Sequence, residues 1–306
     1  MNSHVRLSPT QAQIQVECSL GKHFIEQDIE KEIRESPVLT GKISQGIALL
    51  QQWHVKDYYD SKNQRLDAIR PKQFEHLVVS AFVCVAHCQY PETLVNIAGK
   101  FAESLRWSDR VPAVTTAAEI LAVLCETDAF DIFKNGAQGS LMVQCNFTLS
   151  EELVQNILQA EYLPPMICEP EPITTNFQSG YLTVKDSVIL RKYNQHSQCA
   201  SLDVINARNA VPLSLDMDFV MSVPETPKNE PETVEAQQRW QQHVSTSKMV
   251  YRRMALAGNR FYMLNKYDKR GRMYVQGYHI NPQGTAYKKA CVDLADTEVV
   301  TGVPGI

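Results

Sequence analysis

The chain has 306 residues, of which 44% are hydrophobic, so it can bury a sizeable core and form two or three small domains. Neither an apolar run of about 18 residues nor an apolar signal-peptide core occurs, which argues against a membrane protein and a secreted protein and favours the cytoplasm. The net charge of −4 argues against a protein that is basic over its whole surface.

The eight cysteines are scattered, and several lie in apolar stretches that predict buried, reduced thiols. Cys84, His87 and Cys88 would share one face of a helix, but the second pair of ligands expected at zinc spacing is missing. The sequence therefore predicts no metal site on this chain.

Apolar residues at three- and four-residue spacing predict a series of helices from about Lys22 to Lys134, with breaks at prolines. Gly139–Phe147 is typical of a strand, and Ser150 suits the N-cap of a helix that continues to about Tyr162. We therefore expect a helical N-terminal domain over residues 1–160.

The middle of the chain is less regular. A proline-rich stretch comes first, and Gly180–Arg191 then holds two short apolar runs that suit strands or a hairpin. Ala200–Leu215 predicts a helix at first, and Met221–Pro231, with three prolines, predicts a linker. A further helix is expected from about Glu232 to Ala257. Residues 161–257 thus predict a connecting segment followed by helices.

The last segment, 258–306, alternates more like strands. Five residues with a period of two share one face, and these are Arg272, Tyr274, Gln276, Tyr278 and Ile280. Asn281–Gly284 is a turn signal, and Lys288 and Lys289 follow at the start of another element.

The charge distribution singles out this part of the chain. Lys248–Lys289 carries ten basic residues and one acid, Asp268, which leaves +9 there and −13 in the remainder. Seven aromatic residues are interleaved with them, and basic and aromatic side chains together are typical of phosphate and base contacts. The pattern indicates a local nucleic-acid site, although a solvated face beside a core would produce the same composition.

Asn259–Ala295 resembles the start of the palm in phage and mitochondrial single-subunit RNA polymerases. The shared features occur in order and at the family's spacing, and they are Asp268, Gly271-Arg272, Tyr274, Asn281-Pro282-Gln283-Gly284 and Lys288 or Lys289. Upstream, Leu163–Thr183 and Leu202–Leu215 resemble the proline-rich segment and the helix that follows it. The resemblance covers about residues 161–295 and leaves the first 150 residues unmatched.

The resemblance implies a template- and hybrid-binding site formed by Arg270, Arg272 and Tyr274. Gly271 would allow close backbone approach, Asp268 would orient an arginine, and Lys288 or Lys289 would lie near nucleic acid.

Catalysis in this family needs two Mg²⁺ ions held by two aspartates. Only 17 residues follow Lys289, and Asp293 and Asp296 come too early in the sequence to match those aspartates. The resemblance therefore implies no catalytic residue here and a second subunit, with the fingers and the remaining palm, that holds Mg²⁺. The other partners that the resemblance implies are a DNA template, an RNA–DNA hybrid, nucleoside triphosphates and a recruitment factor.

The fold implied is mainly α with a small antiparallel β portion. It comprises the N-terminal domain, thumb-like helices within 161–257 and the first palm strands within 258–306. A split, heterodimeric phage enzyme is preferred over a fragment of a longer polymerase. The alternatives are a non-catalytic transcription accessory protein that binds single strands, and an unrelated helical scaffold with a basic patch.

Overall fold

The computed structural model describes residues 7–136, 139–160, 163–190 and 198–297. Over these ranges the chain is mainly helical with three small antiparallel sheets, which confirms the expected fold class. None of the described helices is both long enough and apolar enough to cross a membrane.

The α-helices, numbered in chain order, are α1 (Pro9–Leu20), α2 (Lys22–Glu35), α3 (Pro37–His54), α4 (Asp60–Asp67), α5 (Phe74–Ala86), α6 (Leu94–Phe101), α7 (Arg110–Leu124), α8 (Glu151–Ala160), α9 (Leu202–Asn209), α10 (Met217–Ser222), α11 (Val234–Leu256) and α12 (Ala286–Ala290). The strands are β1 (Glu92–Thr93), β2 (Phe130–Lys134), β3 (Leu141–Cys145), β4 (Pro212–Leu215), β5 (Phe261–Tyr262), β6 (Asn265–Tyr267), β7 (Met273–Val275) and β8 (Val292–Leu294).

The described residues form two compact units, one from 22–158 and one from 7–21 together with 159–297. The sequence predicted a first domain over 1–160, whereas the structure groups α1 with the C-terminal residues. It also groups the two predicted regions after residue 160 into one unit.

Glu17 shows why α1 belongs with the later residues. This carboxylate is fully buried and accepts hydrogen bonds from the backbone N–H groups of Leu182, Thr183 and Val184, at 2.6–3.2 Å. The Gln13 amide and the Thr183 hydroxyl donate to it as well. A buried charge is tolerated only when it is paired or hydrogen-bonded in this way, so Glu17 fixes the helix to the loop.

The unit of residues 22–158 has a helical core in which α3 packs on α5 and α7. Gly46 of α3 permits this approach, because a Cβ there would lie only 3.0–3.2 Å from Val78 and Leu124 side-chain atoms. Phe82, Phe101 and Ile120 are fully buried in this unit. The packing of these apolar helix faces supplies the unit's main hydrophobic stabilisation.

The predicted helix over the end of this region was wrong for residues 130–134. Helix α7 ends at Leu124, and Asp128 adopts φ +54° in the left-handed region that ends a helical turn. The chain then forms β2, which pairs in antiparallel register with β3, from Phe130 opposite Cys145 to Lys134 opposite Leu141. The strand expected over 139–147 is confirmed by β3.

The C-terminal unit contains the sheet β5-β4-β8 and the hairpin β6-β7. Helix α11 covers the sheet, and Val250, Met254 and Phe261 share one buried cluster. The stretch Ala200–Leu215, expected to be helical at first, begins with α9 and then forms β4 over residues 212–215. The strands expected over 180–191 do not form in the described residues 180–190, where Ile189 makes only an isolated bridge to Tyr267.

Candidate nucleic-acid interface

The predicted site lies on the hairpin of β6 and β7. Tyr267 pairs with Met273, and the intervening loop closes through Asp268 N to Arg272 O (2.9 Å) and Gly271 N to Asp268 O (2.9 Å). Gly271 adopts φ +78°, a conformation that side chains with a Cβ rarely take. The sequence Asp-Lys-Arg-Gly-Arg therefore forms a tight loop that brings both arginines beside one carboxylate.

Asp268 organises that loop through both of its oxygens. Oδ1 accepts the backbone N–H groups of Arg270 (2.8 Å) and Arg272 (3.0 Å). Oδ2 accepts Arg272 Nε at 2.9 Å and Arg270 Nη2 at 3.1 Å, and the Tyr274 hydroxyl lies 3.5 Å away. One carboxylate thus fixes the backbone of the loop and the direction of both guanidinium groups.

The exposure of the three side chains differs sharply. Asp268 is only 14% exposed, whereas Arg270 is 63% and Arg272 is 53% exposed. Burial would raise the pKa of Asp268, but the backbone and side-chain hydrogen bonds from Arg272 hold it below its ordinary value. The pairing raises the pKa of Arg272. The loop therefore presents two ionised guanidinium groups to solvent over a carboxylate that stays charged near neutral pH.

Tyr274 extends this surface along β7. Its ring lies 5.5 Å from the guanidinium carbon of Arg272, a cation–π distance, and its side chain is half-buried. Arginine forks can bind phosphate oxygens in bidentate fashion, and an adjacent aromatic face can support a base or sugar.

The Asn-Pro-Gln-Gly turn (residues 281–284) is hydrogen-bonded to β7. Val275 N donates to Gln283 Oε1 (2.9 Å), and Gln283 Nε2 donates to Met273 O (3.4 Å). Asn281 Oδ1 accepts Gln283 N (2.8 Å), which holds the glutamine against β7. Two short motifs that are separate in the sequence are therefore parts of one hydrogen-bonded arrangement.

The two candidate lysines differ in environment. Lys288 is buried, its Nζ donates to Tyr278 O at 2.6 Å, and it lies 4.5 Å from the centre of the Tyr278 ring. Burial lowers its pKa. Lys289 is exposed. In this conformation Lys289, and not Lys288, can reach a ligand in solvent.

Several of the other basic residues in Lys248–Lys289 have protein partners. Arg260 forms a bidentate ion pair with Asp296, and Lys266 pairs with Asp186. Arg253 donates to Gln159 at 3.0 Å. The positive charge available to a ligand is therefore smaller than the +9 in the sequence suggests, and it includes Arg270 and Arg272 at the hairpin loop.

A histidine cluster beside this site was missed in the sequence. The rings of His243 and His279 stack with centroids 5.3 Å apart, and Tyr278 meets both rings edge-on. His243 Nε2 lies 3.1 Å from Glu225 Oε2, and Ser247 Oγ lies 2.8 Å from His279 Nδ1. Only a long-range contact map reveals such a cluster, because its members come from the linker, α11 and the segment after β7.

Burial, followed by His243 and Lys288, lowers the pKa of His279 to about 4, while Glu225 opposes them. His279 is therefore neutral at neutral pH, and its side chain is packed in the interior, with 7% exposed.

Across the described ranges, no three His, Cys, Asp or Glu side chains converge to form a metal site. Asp293 is exposed on β8, and Asp296 is engaged by Arg260. Among the described residues, therefore, no carboxylates are arranged as a two-Mg²⁺ centre would need.

Comparison with known proteins adds no family assignment: no protein-family model matches the chain, and no curated protein sequence matches it.

Proposed function

We propose that the chain is one subunit of a heterodimeric, phage-type DNA-directed RNA polymerase that acts in the cytoplasm of a host cell. It contributes an N-terminal domain, thumb-like helices and a hairpin that holds the template strand and the RNA–DNA hybrid. The partner subunit supplies the fingers, the remaining palm and the aspartates that bind Mg²⁺.

The observation that carries this proposal is the arrangement of Asp268, Arg270, Arg272 and Tyr274 on one rigid hairpin, with Gln283 bonded to the same strand. Four of the residues that carry the resemblance to the polymerase family thus belong to one arrangement, namely Asp268, Arg272, Tyr274 and Gln283. Two oriented guanidinium groups beside an aromatic ring suit a sugar-phosphate backbone, because the guanidinium fork matches phosphate oxygens and the ring can support a sugar or base.

In this proposal the chain binds and orients nucleic acid and performs no chemical step itself. The arginines neutralise phosphates next to the reaction centre, and Tyr274 supports the adjacent nucleotide. When bound by the partner, two Mg²⁺ ions would stabilise the attacking and leaving oxygens of nucleotidyl transfer.

The salt dependence of binding tests the role of the arginines. Binding of the full chain to an RNA–DNA hybrid is measured by fluorescence anisotropy over a range of salt concentrations. Each lost phosphate contact should reduce the slope of log K against log salt by about 0.7–0.9, so Arg270→Ala with Arg272→Ala should reduce it by about 1–2.

Arg70→Ala is the matched control, because Arg70 is an exposed arginine of the unit 22–158, outside the hairpin. It should leave both affinity and slope almost unchanged. Equal affinities and slopes for the double variant and the unmodified chain would refute the phosphate-binding role.

A further inference from the structure

An exposed aromatic side chain lies on a rigid turn near the candidate interface. Phe177 is 75% exposed, at the tip of a turn that spans Thr174–Gln178. Gln178 Oε1 accepts hydrogen bonds from Thr174 N (2.8 Å), Thr174 Oγ1 (2.8 Å) and Thr175 N (3.1 Å). The turn is therefore closed by its own side chains while the phenyl ring points into solvent.

Asn176 anchors the turn to the rest of the unit. It is only 4% exposed, its Nδ2 donates to Gln198 O (2.8 Å), and its Oδ1 accepts Ala200 N (2.8 Å). Its carbonyl accepts both Ser187 Oγ (2.6 Å) and Val188 N (3.2 Å). The residue that precedes the exposed phenyl is thus held on several sides.

The same anchoring connects the turn to the hairpin. Val188 O accepts Tyr267 N at 2.7 Å, and Leu190 N donates to Tyr267 O at 2.7 Å. Val188 is thus hydrogen-bonded through its backbone to both Asn176 and Tyr267. Since hydrogen-bonded backbones lie about 5 Å apart, the Cα atoms of Asn176 and Tyr267 are within roughly 10 Å of each other, and Tyr267 directly precedes Asp268. Ile173, Val188 and Tyr267 also pack in one buried cluster, so the turn and the hairpin share a scaffold.

We propose that Phe177 is a stacking platform for an unpaired base of the strand whose phosphates contact Arg270 and Arg272. This inference rests on the proposed function and names a residue that neither charge nor the family resemblance identified. A phenyl ring has few rotatable bonds, and a rigid turn presents it with little further loss of entropy. Single-strand sites combine basic grooves with such rings, over roughly 4–16 nucleotides per module.

A nucleobase is favoured over an apolar protein surface by the charge of the neighbourhood. Arg270 and Arg272 are exposed at the hairpin loop that shares this scaffold, and their positive charge attracts a polyanion to this unit.

The test compares Phe177→Ala and Phe177→Trp in binding to a single-stranded deoxyoligonucleotide and to its abasic counterpart. Phe177→Ala should weaken binding to the base-containing strand by roughly 5- to 100-fold, and Phe177→Trp should retain it. The salt slope should stay unchanged, because no phosphate contact is lost. On the abasic strand the two variants and the unmodified chain should bind alike.

Val204→Ala serves as the control, because Val204 is another exposed apolar residue of the same unit. Equal binding by Phe177→Ala and the unmodified chain, while the arginine variants lose affinity, overturns the stacking role and leaves the proposed function intact. A loss for Phe177→Ala that is as large on the abasic strand also overturns it. Should the arginine variants bind normally too, the proposed function itself fails.

Discussion

At the scale of single residues, Asp268 has the most informative environment. A carboxylate inside a basic segment would ordinarily weaken anion binding by reducing the positive charge. Here it accepts two backbone N–H groups and two guanidinium groups of the loop, and it is 14% exposed. Its effect is to orient Arg270 and Arg272, which reduces the ordering that binding itself requires.

Asp268→Asn separates orientation from charge. The substitution removes one negative charge yet loosens both arginines, so we expect binding to an RNA–DNA hybrid to weaken several-fold. Asp293→Asn makes the same change in charge at an exposed position on β8, and it should leave binding unchanged or strengthen it. Affinities of the two variants for the hybrid, measured side by side, show whether Asp268 acts by orienting the arginines or only through its charge. Tighter binding by both variants would contradict an orienting role.

At the scale of elements, local patterns predicted the helices well and the contacts between distant segments poorly. A helix was expected from about Glu232 to Ala257, and the structure has Val234–Leu256. Spacing of apolar residues, in contrast, extended a predicted helix through residues 130–134, where pairing with β3 prevails. Strand pairing is a long-range property, so FDIFK alone does not reveal it.

In the candidate site, too, local features were predictable from the sequence and long-range contacts were not. Its motif residues were identifiable from the sequence, because an ordered set of short motifs is local information. The Asp268 network follows from those residues once the turn at Gly271 is known. The Lys266–Asp186 pair, the burial of Lys288 and the anchoring of Phe177 depend on segments that meet only in the fold, and no sequence pattern indicated them.

The histidine cluster predicts how stability depends on pH. His279 has a pKa of about 4 in the folded chain and about 6.5 when unfolded, so the unfolded chain takes up the proton first as pH falls. The stabilisation is complete above about pH 6.5 and is lost progressively towards about pH 4, on the order of 1–3 kcal/mol in all. His243, Glu225 and Lys288 face His279, and their charges modify the pH range over which this stabilisation is lost.

Urea unfolding at about pH 7.5 and about pH 5 measures this loss directly. In His279→Gln the difference between the two free energies of unfolding should shrink, because the buried ionisable imidazole is gone. His23→Gln, at an exposed histidine, should behave like the unmodified chain. A pH dependence that is identical in all three proteins would show that His279 does not control stability in this range.

At the scale of the whole molecule, the chain combines a helical unit of residues 22–158 with a unit that carries the hairpin, the small sheets and α1. Within the part of the chain that the structure describes, no group of side chains fits a metal centre, while the hairpin is well ordered by its own hydrogen bonds. In the proposed function, the catalytic aspartates come from a second polypeptide, so the complex is the unit of function.

The most direct test is RNA synthesis by the chain together with its stably associated partner. The account predicts that the partner carries two aspartates required for Mg²⁺, that the complex extends RNA on a primed template, and that neither subunit does so alone. Arg272→Ala combined with Tyr274→Ala should abolish most of this synthesis, whereas Arg70→Ala should preserve it. Full synthesis by the double variant, or a chain that binds single strands but never forms an RNA-extending complex, would contradict the account.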